Sequence, residues 1–322
     1  MTEPIKVAVV GVGKFGQHHV RVYSELPEAE LLGVYDIDAA RAAEIAAQYH
    51  CRAFASLVEL TGQVQAASVA VPTEQHAAIA QRLLDAGIDV LVEKPMARAV
   101  AEADQMIATA ERRGRVLQIG HLERFNPAVE AARAIARSPL FFEAHRLSPF
   151  SPRSLDVDVV MDLMIHDLDI VLSLVESEVE EIRAVGLAVL TPKFDIANVR
   201  VAFANGCVAN FTASRVSTER VRKLRWFQPQ EYISVDYARQ DAVVITVEKA
   251  GPLPMLSHRR LAPAQQEPLR RQLESFLMAV RERRTPEVSG NDGRRALLLA
   301  HQIQQEMDRH AGRLQSQKVG ML

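Results

Sequence analysis

Val7-Ala8-Val9-Val10-Gly11-Val12-Gly13-Lys14-Phe15-Gly16 is the stretch that decides how this 322-residue chain is read. A continuous apolar run over 5–10 suits a strand buried on both faces. It feeds into G-x-G-x-x-G and then into a helical stretch reaching about residue 26. In that setting Gly11 permits a tight turn, Gly13 lets backbone approach a pyrophosphate, and Gly16 lets the helix pack on the strand. Lys14 and Phe15 stand at the helix N-terminus, whose free N–H groups and partial positive charge suit phosphate. A second strand, 31–35, ends at Asp36, 20 residues past Gly16. An acid at that spacing hydrogen-bonds an adenosine ribose 2′-hydroxyl. The competing reading is a glycine turn in an unrelated α/β fold, with Asp36 a solvated loop acid. Asp36 would repel a 2′-phosphate, Ile37 offers no charge to hold one, and Arg41 sits down the next helix. NAD is therefore favoured over NADP.

The same alternation continues outward. Helical stretches at 41–49, 76–86 and 99–113 separate strands at 66–71, 90–92 and 116–119, with Gly87 and Gly114 as helix stops. This spacing makes βαβ units and a doubly wound parallel sheet, a Rossmann domain over 1–121. Near Gly120 the pattern changes. A helix at 127–137, a Ser/Pro-rich segment at 148–154 and a helix at 157–175 precede strands at 182–190, 197–203, 208–214, 223–227, 232–235 and 243–247. Ala204-Asn205-Gly206-Cys207 reads as a hairpin turn, because Asn-Gly tolerates positive φ at both central positions. Two helices close the chain. One carries Leu269, Leu273, Phe276, Leu277 and Val280 on one face, the other Ala296, Leu299, Ala300, Ile303 and Met307. Residues 122–322 thus read as an α+β domain with a large, predominantly antiparallel sheet. One face of that sheet is expected to be apolar and uncovered, which implies a homodimer or homotetramer.

Composition excludes several classes. With 38 Lys+Arg against 40 Asp+Glu, the net charge of −2 gives no basic field for nucleic acid or anionic lipid. No apolar run reaches the roughly 20 residues of a membrane span. Met1-Thr2-Glu3-Pro4 lacks the basic start and apolar core of a signal peptide, so a cytoplasmic location is expected. Cys51 and Cys207 cannot build a disulfide framework or a cysteine zinc site, and no metal is expected.

Leu91-Val92-Glu93-Lys94-Pro95-Met96 continues the strand at 90–92 and puts Lys94 at the carboxyl end of a parallel sheet, where ligands bind. A desolvated lysine there can hold or polarise a substrate oxygen. An ordinary Lys-Pro turn is the bland alternative. The combination of Gly11, Gly13 and Gly16, Asp36, Val71-Pro72-Thr73 with His76, and Glu93-Lys94-Pro95 resembles the Gfo/Idh/MocA oxidoreductases. The resemblance runs from residue 5 to about 310 and includes 289–296. It implies NAD(P)-dependent oxidation of sugars, inositols and related polyols. It also implies a cis Lys94-Pro95 bond, and a wall for the nicotinamide side built by Val71, Pro72, Thr73 and His76.

The family carries an Asp and a His four apart on a helix of the second domain, matched here by Asp162 and His166. The residues argue the same independently. Asp158, Asp162, His166 and Asp169 recur at intervals of four, four and three and form one polar stripe on an otherwise apolar helix. A buried helix must satisfy such a stripe by partners or by a cleft. A solvated face and a metal site are the other readings, and one His without a second ligand element is weak for a metal. The family's glycines before this helix are replaced by Asp156-Val157-Asp158.

Gly120-His121-Leu122-Glu123-Arg124-Phe125-Asn126-Pro127 lies at the domain boundary, and similar strings occur in family members acting on nucleotide sugars. His121, Arg124 and Asn126 are therefore candidate substrate residues, with Arg124 alternatively a structural partner of Glu123 or Glu130. Arg215, Arg220, Arg222, Lys223 and Arg225, followed by Trp226 and Phe227, could hold a diphosphate and stack on a base, or be an exposed strand surface. The expected reaction is oxidation of a sugar hydroxyl lying between Lys94 and His166. Lys94 donates a hydrogen bond, His166 is general base, and Asp162 orients His166 or the nicotinamide ribose. The resemblance points to a UDP-sugar, most specifically C3 of UDP-N-acetylglucosamine, in amino-sugar synthesis for lipid A or another surface glycan. Alternatives are a free-sugar or inositol dehydrogenase, a non-catalytic NAD sensor, and an NAD-assisted glycoside hydrolase.

Overall fold

Val7, Ala8, Val9 and Val10 are fully buried in the first strand of the computed structural model, which describes residues 3–151, 157–248 and 254–319. The first part of the chain runs β1 (Ile5–Val10), α1 (Lys14–Glu25), β2 (Ala29–Tyr35), α2 (Ala39–Gln48), β3 (Arg52–Ala53), β4 (Ala66–Val69), α3 (Thr73–Asp85), β5 (Asp89–Glu93), α4 (Val100–Arg113) and β6 (Leu117–Gly120). A 3-10 turn, Leu122–Phe125, leads on to α5 (Pro127–Arg133), β7 (Phe141–Leu147), a π-helical turn (Val160–Met164) and α6 (Ile165–Leu174). Seven strands follow: β8 (Val179–Leu187), β9 (Ile196–Phe203), β10 (Val208–Ser214), β11 (Val221–Gln228), β12 (Glu231–Asp236), β13 (Asp241–Glu248) and β14 (Met255–Leu261). The chain closes with α7 (Pro268–Glu282) and α8 (Gly290–Val319).

The chain divides into two compact units, Met1–Phe125 with Gln266–Arg294, and Asn126–Gln265 with Arg295–Leu322. The boundary expected at 121 is thus displaced to 125, and the expected 122–322 domain gives up 266–294. The reason is α7, whose apolar face (Leu269, Leu273, Phe276, Leu277) joins Val20, Tyr23 and Val34 in one core cluster. An amphipathic helix records that it covers something, and its sequence does not say which sheet.

The first unit holds a six-stranded, wholly parallel sheet in the order β3-β2-β1-β4-β5-β6. The order reverses beside β1, which is where doubly wound sheets open a ligand crevice at their strand ends. Gly87 and Gly114, at φ 80° and 57°, end α3 and α4 as expected.

The second unit holds an eight-stranded sheet, β14-β13-β12-β11-β7-β10-β9-β8. Every pairing is antiparallel except β7 with β10. Two strands absent from the sequence reading, β7 and β14, are present, and β7 is central. Its sequence, FFEAHRL, hides it: the buried side is Phe142, Ala144 and Arg146, and the charge of Arg146 breaks the apolar alternation. The hairpin between β9 and β10 differs from expectation. Only Gly206 has positive φ (85°), while Asn205 accepts from Cys207 N at 3.0 Å and its own N–H is held by Ser177.

The expected apolar open face proves to be mixed. The apolar alternates of β9 and β10 (Val199, Val201, Ala209, Phe211, Ala213) are the buried ones. On the other side Asn198 donates to Thr212 at 3.0 Å and Arg225 lies 3.6 Å from Glu143, but Phe227 of β11 is exposed there and packs with Phe141 and Tyr232 at ring centroids of 5.7 and 5.0 Å. Further exposed apolar side chains lie at the sheet's two edges, at Val185 and Leu187 of β8 and at Met255 and Leu256 of β14. Among the described residues no helix is long and apolar enough to cross a membrane.

Candidate active site

The loop after β1 is shaped by contacts only glycine allows. Gly11 has φ 87°, and a Cβ there would lie 2.7 Å from Val71 Cγ1 and 2.8 Å from the Ala70 carbonyl. A Cβ on Gly16 would overlap the Gly11 carbonyl oxygen. Gly13 differs, because nothing lies within 4 Å of where its Cβ would be. It is also the N-cap of α1, whose first turn has no side-chain cap and no acidic residue. Lys14 and Phe15 beside it are exposed. Open space over a small residue, bordered by uncapped N–H donors, fits a dinucleotide pyrophosphate. Asp36 Oδ2 accepts from Val12 N at 2.8 Å, and Oδ1 accepts from Asp38 N at 2.9 Å. The carboxylate is therefore fixed at the end of β2, against the glycine loop.

Lys94 directly follows β5. It is half-buried, and its bond to Pro95 is cis, as the resemblance implied. Glu93 is 8% exposed. Its Oε1 lies 3.1 Å from His19 Nε2 of α1 and accepts from Gln272 Nε2 of α7 at 3.1 Å. Gln118 Nε2 in turn donates to the Gln272 carbonyl at 3.1 Å. Gly120 makes room for the Glu93 carboxylate, which a Cβ would strike.

His76 is 1% exposed, so its ring is internal rather than part of an open wall. Nδ1 faces the Pro95 carbonyl at 2.8 Å and Nε2 the Val71 carbonyl at 2.9 Å. Burial pushes its pKa below the ordinary histidine value, against the pull of both carbonyls. Val71 and Thr73 are half-buried and Pro72 is exposed.

In the second unit the expected 157–175 helix is present over 159–174 and carries one π-helical turn. The π-helical turn occupies Val160–Met164 and α6 continues from Ile165. Such bulges recur at functional sites. Asp162 and His166 are half-buried, whereas Asp169 is buried. The stripe is thus not one face in one role. Asp158 Oδ1 caps the helix start, accepting from Val160 N and Met161 N, and its Oδ2 accepts from Gln304. Asp156 and residues 152–154 lie outside the described residues. Asp167, off the stripe, is firmly held. Arg146 binds it through Nε at 2.8 Å and Nη2 at 2.9 Å, and the Tyr237 hydroxyl donates to it at 2.9 Å.

The boundary string is largely internal. His121, Arg124 and Asn126 are 1%, 3% and 2% exposed. Arg124 Nη2 lies 3.4 Å from Asp292 Oδ1. Asn126 donates to the Tyr237 carbonyl and accepts from Ala128 N as the cap of α5. The basic segment does not act as one surface. Arg215 is buried, 3.6 Å from Asp195, and donates to the Val157 carbonyl at 2.5 Å. Trp226 is 1% exposed, with Nε1 on Gln228, and cannot stack on a base. Burial alone would raise the Asp195 carboxyl. Donors from Thr191, Leu190 and Val189 overturn that and hold it at about 2.

Sequence reasoning missed His19, Gln272, Arg146, Asp167 and Asp195. For His19 a signal existed: it falls three residues after Gly16, on the face of α1 that turns to the sheet. Among the described residues no group of three or more His, Cys, Asp or Glu is placed to hold a metal ion.

Fold and loop define an oxidoreductase with a dinucleotide-binding domain. Residues 5–121 match the model of an oxidoreductase family with an NAD-binding Rossmann fold, and residues 132–230 match the C-terminal domain of the same family. The chain belongs to the Gfo/Idh/MocA oxidoreductase family. It is 41% identical over 303 residues, 93% of this chain and 96% of the other, to a UDP-N-acetylglucosamine 3-dehydrogenase of Acidithiobacillus ferrooxidans. A solved structure of that organism's UDP-N-acetylglucosamine 3-dehydrogenase superposes with a TM-score of 0.90 at 39% identity, covering 96% of this chain and 99% of that one. An inositol 2-dehydrogenase of Rubrobacter xylanophilus is 31% identical over 58% of this chain and 56% of its own length.

Proposed function

We propose that the protein is an NAD-dependent dehydrogenase that oxidises the C3 hydroxyl of UDP-N-acetylglucosamine. The observation that carries this is the likeness at 41% identity across 93% of the chain, to which the presence of Lys94, Asp162 and His166 in the sequence adds. NAD, when bound, supplies the hydride acceptor. Gly11, Gly13, Lys14, Phe15 and Gly16 hold its pyrophosphate. Asp36 takes the adenosine ribose, and its charge disfavours a 2′-phosphate. Val71, Pro72, Thr73 and Glu93 shape the nicotinamide end, with His76 behind them.

Lys94 donates a hydrogen bond to the reacting oxygen and stabilises its developing negative charge. His166 accepts the hydroxyl proton, a task suited to an imidazole at neutral pH. Asp162 orients His166. His121, Arg124 and Asn126, being buried, support the residues around the substrate rather than touch it. The C–H bonding pair leaves as hydride, so the products are a 3-keto sugar, NADH and a proton. A 3-keto sugar is what a transaminase requires to install a 3-amino group, which places this step in amino-sugar synthesis for lipid A or another surface glycan. The working enzyme is a cytoplasmic homo-oligomer in this reading, supported by the exposed apolar side chains at both sheet edges.

The test is NADH formation at 340 nm with UDP-sugars, free hexoses and inositols, in the presence of a carbonyl trap. Signal with UDP-N-acetylglucosamine alone is expected. Signal only with free polyols overturns the nucleotide-sugar assignment.

A further inference from the structure

The residues on either side of Lys94 each lie against a buried histidine, and the two histidines come from different helices. Before it, Glu93 Oε1 lies 3.1 Å from Nε2 of His19 in α1, the helix that begins at the glycine loop. After it, the Pro95 carbonyl lies 2.8 Å from Nδ1 of His76 in α3, and the other nitrogen of that ring meets the Val71 carbonyl at 2.9 Å. His19 and His76 are 0% and 1% exposed. His19 also packs edge-on against the Phe15 ring, with centroids 5.3 Å apart, but a leucine or phenylalanine could fill either space without a polar atom to satisfy. His76 sets Nδ1 on the Pro95 carbonyl that follows Lys94 and Nε2 on the Val71 carbonyl, while His19 brings Nε2 beside the Glu93 carboxylate that precedes it. Gln272 adds a second hold on Glu93, and Gly120 leaves room for the carboxylate.

We infer that His19 and His76 are positioning residues that fix the lysine between them and couple its placement to the two elements that shape the nucleotide site. The inference rests on the catalytic reading of Lys94 given above. Neither histidine touches substrate. Both act through Glu93 and Pro95, and a displacement of the amine by about 1 Å is enough to lower turnover about 100-fold.

The experiment compares His19→Ala, His19→Gln, His76→Ala and His76→Asn with the wild-type full chain. The first readout is the rate of Lys94 acetylation under limiting acetic anhydride. It is measured by peptide mass spectrometry against the exposed Lys193. The second is kcat and the KM for NAD⁺ on UDP-N-acetylglucosamine. Both alanine variants are expected to change the Lys94-to-Lys193 labelling ratio at least threefold. They should lower kcat about 10- to 100-fold, with the KM for NAD⁺ changing far less. His19→Gln and His76→Asn keep one hydrogen-bonding group and should recover part of both. If an alanine variant fails to fold, the Gln and Asn variants decide the matter by the same two readouts. Folded variants with wild-type labelling and wild-type kcat overturn the inference. Should the sugar prove not to be a substrate, labelling still decides it, so its failure and that of the catalytic reading are separable.

Discussion

Asp36 and Val12 are joined by a 2.8 Å hydrogen bond from the Val12 amide to the carboxylate, so the acid that ends β2 is locked to the glycine loop. Its remaining acceptor capacity faces whatever occupies that loop. Asp36→Ala should weaken NADH binding about 10- to 100-fold, the worth of a hydrogen bond to a charged group. It should also narrow the gap between NADH and NADPH. Nicotinamide fluorescence titration measures both. Unchanged NADH affinity would remove Asp36 from the cofactor site.

Two glycines of one motif should fail in different ways. Gly16→Ala drives a methyl into the Gly11 carbonyl and should destabilise the protein by about 1–3 kcal/mol. Gly13→Ala meets open space and loses only a preferred cap residue, so its melting temperature should shift by no more than a few degrees. Its NADH affinity should nonetheless fall at least about tenfold, because the methyl occupies the place of the pyrophosphate. Thermal melts with and without NADH separate the two effects.

Asp167 should prove the most expensive carboxylate to remove from the second unit. It is 2% exposed, and its partner Arg146 is 3% exposed. Asp167→Ala takes the two-point carboxylate contact away from that buried guanidinium, which costs about 3–5 kcal/mol. Urea unfolding should show the loss as a lower midpoint. A midpoint close to wild type would mean that Arg146 finds water or another acceptor.

Asp195 should set part of the acid limit. Its carboxyl is held at about 2 in the folded protein against 3.8 as its ordinary value. The folded state therefore favours the charged form. The stabilisation, about 2 kcal/mol, is complete above pH 4 and is lost as pH falls towards 2. In Asp195→Asn the stability curve should be lower at neutral pH and flatter between pH 4 and 2. An unchanged acid slope would contradict the assignment.

The nucleotide half was legible because each signal there is local. β1, the three glycines and Asp36 are specified by residues adjacent in sequence or by one fixed spacing. Lys94 was legible for the same reason. What stayed hidden depends on long-range partners. β7 looks like a charged loop until Arg146 is seen to meet Asp167 across the core. Arg215 and Trp226 looked like a ligand surface because alternation along a strand does not say which side the helices cover. The His19 contact with Glu93 joins residues far apart in sequence, and no periodicity announces it. The π turn just before His166 has a sequence, VMDLM, that is unremarkable for an ordinary helix.

The most direct test of the central claim follows the hydrogen. UDP-N-acetylglucosamine deuterated at C3 is incubated with the enzyme, NAD⁺ and a carbonyl trap, and the reduced nicotinamide is examined by mass spectrometry and NMR. Hydride transfer from C3 predicts deuterium at nicotinamide C4 in stoichiometric amount, with no such product from Lys94→Ala that still binds NAD⁺. Unlabelled NADH, with deuterium retained in the sugar, would contradict oxidation at C3.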